Sequence, residues 1–297
     1  MKLSNGLSQR KPSIPVVRIV AGLAAFVVLV IGAFVAYPFT SANQVALAST
    51  PGVSSTRQTK KKTLYLPPLG HTKIAGENLL FDNEFNGSSL NTTQWNIEDF
   101  GQGGYRNSSS SYALQYYTPK ALAVQNGALS IMSDQQSMGG RNYTSGALTT
   151  EHTFNFLYGR VDIRARLPKG QGIWPAFWML TANADHEIDI MEMINTPKTV
   201  YQTYHVHTPI VNAYVSQGIV KGQDFSAAYH TYSLVWTSTS IKWYIDGVQT
   251  FQVTGSVPHT PMYLLLNTAI GGQWPGPPNA STPFPQSMTI DYVRVYH

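Results

Sequence analysis

From about Glu77 onward, the chain repeats the two-residue period of β-structure. Arg160-Val161-Asp162-Ile163-Arg164-Ala165-Arg166-Leu167 alternates charged and apolar residues, which predicts a strand in a sheet with one wet face. Gly127–Ile131, Ser240–Ile245 and Met288–Tyr296 read as further strands, and Asp246-Gly247 as a hairpin turn. Gly, Asn and Pro interrupt the apolar runs at short intervals, and no amphipathic helical stripe or internal repeat emerges. Residues 77–297, about 220 in all, suit one all-β sandwich rather than two domains.

The first 76 residues have a different pattern. Ile19–Phe39 carries no charge over 21 residues and follows four basic residues. At about 1.5 Å per residue such a helix crosses a hydrocarbon core of about 30 Å. It reads as a transmembrane signal-anchor with residues 1–18 cytoplasmic, or as a signal peptide cut after Ala46-Leu47-Ala48. Both readings export the remainder, to the cell surface or beyond it. Residues 40–76, rich in Ser, Thr, Pro and Lys, read as a flexible linker.

Charge follows the same division. Residues 1–76 hold nine basic residues and no acid, whereas the whole chain has a net charge of +5, so residues 77–297 carry about −4. The basic character belongs to the tail, which argues for contact with a membrane or anionic wall polymer and against nucleic acid. The absence of cysteine means that no disulfide staples the fold and is compatible with export.

Within this acid-poor domain, Glu187-Ile188-Asp189-Ile190-Met191-Glu192 places three carboxylates in six residues. On a strand, Glu187 and Asp189 share one face and Ile188 and Ile190 the other. Glu192 has the wrong parity unless an extra residue near Met191 forms a β-bulge, a device over-represented beside active sites. A helix would set Glu187 and Glu192 about 140° apart and scatter the apolar residues around its axis. Two carboxylates on one sheet face suit glycoside hydrolysis, one attacking the anomeric carbon and the other protonating the leaving oxygen. Retention of configuration needs them roughly 5–5.5 Å apart, so glutamates whose backbones are about 13 Å apart on a straight strand must lean over Asp189. A solvated acidic strand edge and calcium binding are the competing readings, although calcium usually takes loop-borne oxygens.

Several further blocks occur in order: Phe81-Asp82-Asn83-Glu84-Phe85-Asn86-Gly87, Tyr158-Gly159-Arg160-Val161, Trp174-Pro175-Ala176-Phe177-Trp178-Met179-Leu180, the acidic hexapeptide, Trp243-Tyr244-Ile245-Asp246-Gly247 and Asp291-Tyr292-Val293-Arg294-Val295-Tyr296. With these the chain, from about Leu79 to His297, resembles glycoside hydrolase family 16, the laminarinase and lichenase group. The resemblance implies a concanavalin-like jelly-roll sandwich of two curved antiparallel sheets, with a glucan-binding cleft on the concave face. The six-residue motif looks like the family's bulged branch, which implies Glu187 as nucleophile, Asp189 as its assistant and Glu192 as acid and base. The implied activity is a retaining endo-β-1,3(4)-glucanase, a monomer whose partner is β-glucan and whose catalysis needs no cofactor. The alternatives are a hydrolase or transglycosylase acting on galactan or agar, and a non-catalytic glucan-binding module.

Sugar rings stack their C–H faces on aromatic rings. Trp174 and Trp178 match family tryptophans, and Trp274 lies in the Gly/Pro-rich loop Gly271–Gly276, so the three are candidate substrate contacts, with a core role the competing reading for Trp178. His205 and His207 share a strand face at a spacing that metal ligands also use, with no third ligand evident nearby. The resemblance puts His205 in the cleft as a polar group for substrate or Glu192, while His207 reads as incidental. The Gly103–Tyr117 loop departs from the family pattern, with Ala113 where a glutamate is usual. Asn107 remains a candidate sugar contact. Some relatives bind a structural calcium; by resemblance Asp291, Glu84 and Gly127 would be its neighbours, the other reading of Asp291 being a sheet-edge cap.

Overall fold

The computed structural model describes residues 78–99, 113–207 and 212–297. The Ile19–Phe39 span, the linker and Asn107 lie outside them. Among the described residues no helix is long and apolar enough to cross a membrane. The only helical turn among them is the short 3-10 piece Pro119–Ala121.

The strands form two large antiparallel sheets. Sheet 1 runs β15 (Val248–Thr254), β14 (Ser240–Ile245), β13 (His230–Trp236), β8 (Gly159–Arg166), β17 (Gln286–Tyr296), β5 (Ala128–Ser133) and β4 (Leu122–Gln125), with β1 (Leu79–Asn83) also beside β17. Sheet 2 runs β12 (Asn212–Lys221), β11 (Thr199–His207), β10 (His186–Met193), β9 (Ile173–Thr181), β16 (Met262–Ile270), β7 (Ala147–Thr149) and β2 (Asn96–Ile97). A small parallel pair, β3 (Gln115–Tyr117) with β6 (Tyr143–Ser145), completes the set. Asn78 and His297 exchange backbone hydrogen bonds of 2.8 Å, which ties the two ends of the described domain together.

Period-two alternation decides what each sheet buries. Val161, Ile163 and Ala165 of β8 enter the core, as do Met288 and Ile290 and, after a register shift between Ile290 and Tyr292, Val293 and Val295 of β17. Sheet 2 answers with Phe177, Met179, Ile188, Ile190, Val200, Tyr204, Leu264 and Leu266. Each large side chain so buried contributes on the order of 1.5–3 kcal/mol relative to exposure. The hairpin between β14 and β15 turns through Asp246 (φ 51°) and Gly247 (φ 78°), the paired positive φ values of a type I′ turn.

The wet face expected for β8 is drier than its alternation suggests. Asp162 is buried, with Arg160 Nη2 2.7 Å from its Oδ2. Arginines lie over tyrosine rings along this face, Arg294 over Tyr292 at 3.8 Å and Arg164 over Tyr229 at 4.8 Å. Long side chains lying flat cover what a simple in–out pattern leaves to solvent.

One contact links the core to the acidic strand. Trp243, fully buried on sheet 1, donates its indole N–H to the backbone carbonyl of Asp189 on sheet 2 at 2.8 Å.

Candidate active site

The acidic hexapeptide forms β10 and bulges where parity requires. Against β9, Asp189 pairs with Trp178 and Met191 with Phe177; against β11, Asp189 pairs with Thr203 and Glu192 with Tyr201. One extra residue is thereby absorbed on β10, so Ile188, Ile190 and Met191 are all fully buried while the three acids share the opposite face.

The register across sheet 2 places the neighbours. Glu187 lies between Leu180 and His205, Asp189 between Trp178 and Thr203, and Glu192 between Ala176 and Tyr201. On β16, Asn267 stands opposite Ala176 and Leu265 opposite Trp178.

Burial separates the acids. The Glu187 side chain keeps 23% of its exposure, whereas Asp189 and Glu192 are buried. Burial, and then the Asp189 charge, push the Glu192 carboxyl well above the usual glutamate range; the hydrogen bond from Trp174 opposes this, and the smaller Glu187 charge adds to it. That bond runs from the Trp174 indole to Glu192 Oε1 at 2.8 Å. Burial and the Glu187 charge likewise hold Asp189 well above the usual aspartate range. A carboxyl kept protonated beside a more exposed carboxylate is the arrangement that divides acid from nucleophile.

Both tryptophans of β9 face the acids' side. Trp174 meets Trp274 edge-on at 5.3 Å, and Tyr201 meets Trp274 at 4.8 Å, forming an aromatic corner beside Glu192. Trp274 is 39% exposed, as its loop position suggested. The loop is held by Gln171, which donates to the Pro275 carbonyl at 2.6 Å. It also needs Gly172 (φ 77°), where a Cβ would lie 2.4 Å from the Pro278 nitrogen. Trp178 combines both of its readings. It packs beside Leu180, Tyr263 and Leu265 and donates to Asn267 Oδ1 at 2.8 Å, yet stands directly opposite Asp189.

One expectation is narrowed and one needs correction. His205 lies among the acids, in direct contact with Asp189 Oδ2 (3.0 Å) and Glu187 Oε1 (3.7 Å), and acts on Glu192 only through a weaker charge interaction. His207, expected to be incidental, has Nε2 3.3 Å from Glu187 Oε2. Both follow from cross-strand pairing, which brings β11 alongside β10. Glu187, Asp189 and His205 each offer one donor atom within 4.8 Å of the others, supplying the further metal-capable partners that were not evident around His205. A divalent ion there would occupy the acids that glycoside chemistry uses.

The expected calcium ligands are otherwise engaged. Both Glu84 oxygens accept from Arg294, at 2.6 and 2.9 Å, and Asp291 pairs with Arg164. Gly127 adopts φ 71° at the β4–β5 turn, near the Asn86 side chain. Two carboxylates matched to guanidinium groups do not form a cation cradle, so the donor set does not fit calcium.

Asn267 and Tyr201 went unnoticed in the sequence, and His207 was seen there without its role. Asn267 also donates to the Tyr117 hydroxyl at 3.0 Å, joining β16 to the small parallel pair.

A β-sandwich that gathers carboxylates and indoles on one sheet face is built like the carbohydrate-processing jelly rolls. The comparisons make this specific: residues 109–294 match the model of glycosyl hydrolases family 16, and the chain belongs to that family. It is 38% identical over 264 residues to glucan endo-1,3-beta-glucosidase A1 of Niallia circulans, covering 75% of this chain and 38% of that protein. It is 33% identical over 248 residues to a beta-glucanase of Rhodothermus marinus, covering 73% of this chain and 84% of the relative. The structure of the laminarinase catalytic domain from Thermotoga maritima superposes with a TM-score of 0.68 at 35% identity, covering 74% of this chain and 98% of that one. The chain thus spans little more than a third of the first relative's length but nearly all of the solved domain.

Proposed function

We propose that this protein is a retaining endo-β-glucanase acting on 1,3-linked or mixed 1,3/1,4-linked glucan. The observation that carries the reading is the bulged β10, which turns Glu187, Asp189 and Glu192 to one face, with Glu192 buried and bonded to Trp174. A glucan chain stacks a ring on the Trp174–Trp274–Tyr201 corner. Glu187 attacks the anomeric carbon, and Glu192 gives its proton to the departing glycosidic oxygen. Water, deprotonated by Glu192, then releases the sugar from Glu187. Asp189, held over the strand between them, orients Glu187 through His205 and by its charge favours a protonated Glu192. The two displacements need no cofactor.

Among the described residues the acids are lined by imidazoles, indoles and the Tyr201 phenol, groups that stack on and hydrogen-bond a neutral sugar ring. The relatives' names, glucan endo-1,3-beta-glucosidase and beta-glucanase, point the same way. The Ile19–Phe39 segment supports a cell-surface or secreted location.

Product analysis on the full chain tests the reading, with laminarin, lichenan and agarose as substrates and Glu187→Gln as control. β-Configured oligosaccharides released from laminarin or lichenan, and lost in the control, are expected. Products of inverted configuration would defeat the retaining mechanism, cleavage of agarose alone would replace the substrate, and binding without cleavage would favour a glucan-binding module.

A further inference from the structure

We propose that His207 is a positioning residue that holds the nucleophile Glu187 through its second carboxylate oxygen. Glu187 lies at the start of β10, next to the turn at 182–185, and is the most exposed of the three acids. Glu192 is fixed by an indole; Glu187 has only imidazoles. His205 Nε2 lies 3.7 Å from its Oε1 and His207 Nε2 3.3 Å from its Oε2, so each oxygen faces a different ring. Among the described residues these are its side-chain hydrogen-bond and ion contacts.

The two rings act as one unit. They stack at 5.6 Å with their planes 7° apart, on the same face of β11. His205 is anchored by Asp189. His207 is anchored through its backbone, its N–H donating to the Asp185 carbonyl at 2.7 Å, where the β11–β12 register shifts between Val206 and His207. Asp185 is in turn held by Thr181, whose hydroxyl donates to Oδ1 at 2.6 Å. The turn entering β10 therefore fixes the main chain of the residue that steadies the nucleophile.

The chemical consequence is orientation. A carboxylate joined to a flexible stem rotates about its last bond, and displacement requires one oxygen lone pair aimed at the anomeric carbon. A hydrogen bond from His207 to Oε2 sets the carboxylate plane and leaves Oε1 for attack. Misplacing a reacting atom by about 1 Å costs about 10²-fold in rate.

The inference rests on the proposed glycosidase reading. Its test is the kinetics of full-length His207→Ala, His207→Gln and His207→Asn on whichever of laminarin or lichenan the unmodified chain cleaves, with melting temperatures measured in parallel. His207→Ala is expected to lower kcat about 10- to 100-fold while KM stays within about threefold. His207→Gln, whose amide nitrogen reaches as far as imidazole Nε2, should recover to within about fivefold of the parent; the shorter Asn should not. The proposal is overturned by an Ala variant within about twofold of the parent, by a rise in KM at constant kcat, or by Gln and Asn variants that are equally slow and melt earlier. A parent chain inactive on both glucans would defeat the functional reading itself, and this inference with it.

Discussion

Each sheet carries an aspartate–histidine pair, and the two aspartates are driven in opposite directions. On sheet 1, Asp246 Oδ2 lies 2.7 Å from His230 Nδ1, and Oδ1 accepts the Thr231 N–H at 2.9 Å. Burial works against the Asp246 charge, but the bonds from His230 and Thr231 outweigh it and hold the carboxyl below its ordinary range. On sheet 2, Asp189 lies 3.0 Å from His205 Nε2, yet burial and the neighbouring Glu187 push it well upward. A histidine partner therefore does not decide the protonation state. Solvent access, backbone donors and the sign of the next charge do.

The same division runs through the remaining acids. Sheet 1 matches Asp162, Asp291 and the adjacent Glu84 to arginines, a pattern of structural neutralisation. Sheet 2 gathers Glu187, Asp189 and Glu192 with imidazoles and an indole, leaving a local excess of carboxyl groups. Buried charge without a strong counter-ion costs stability and is kept where chemistry uses it.

The largest expected effect that breaks this comparison is on turnover. Glu187→Gln should lower kcat at least about 10³-fold, whereas Asp246→Asn should leave it within about twofold, both measured on laminarin. Next come two substitutions with opposite signs on the alkaline limb of the kcat/KM–pH profile, where Glu192 must stay protonated. Asp189→Asn removes a negative charge that raises Glu192, so the limb should move to lower pH. Trp174→Phe removes a bond that lowers it, so the limb should move to higher pH, with kcat down about tenfold.

A smaller effect belongs to sheet 1. Arg294→Met leaves Glu84 without its bidentate partner and should cost about 2 kcal/mol of unfolding free energy, read by urea denaturation, with kcat unchanged. The smallest is the pH dependence of the melting temperature. Asp189 and Glu192 have raised folded-state pKa values, so the stability they contribute is present at low pH and fades as pH rises through those values. Asp246 is lowered, so its contribution is present above the ordinary aspartate range and fades as pH falls. Glu192→Gln should flatten the melting curve's decline towards neutral pH; Asp246→Asn should flatten its decline in acid.

Much of this architecture is legible residue by residue. The parity of Glu187, Asp189 and Glu192 demands a bulge, and the register shift supplies it at the expected place. Alternation locates β8, β14 and β17, and Asp246-Gly247 locates the hairpin between β14 and β15. What stays hidden is the cross-strand neighbour. His207 meets Glu187 from 20 positions away, and Asn267 reaches Trp178 from 89, separations that no local period encodes. Asp162 hides for a related reason, since an arginine two residues away on its own strand folds back over it.

The indole of Trp243 gives the layered design a further property. Its N–H reaches through the core to the carbonyl of Asp189, the middle residue of the acidic motif. That hydrogen bond joins the backbone of the acidic strand to the opposite layer, so loosening of the acids breaks a contact between the two sheets. Heat inactivation and the loss of buried-tryptophan fluorescence are accordingly expected to coincide.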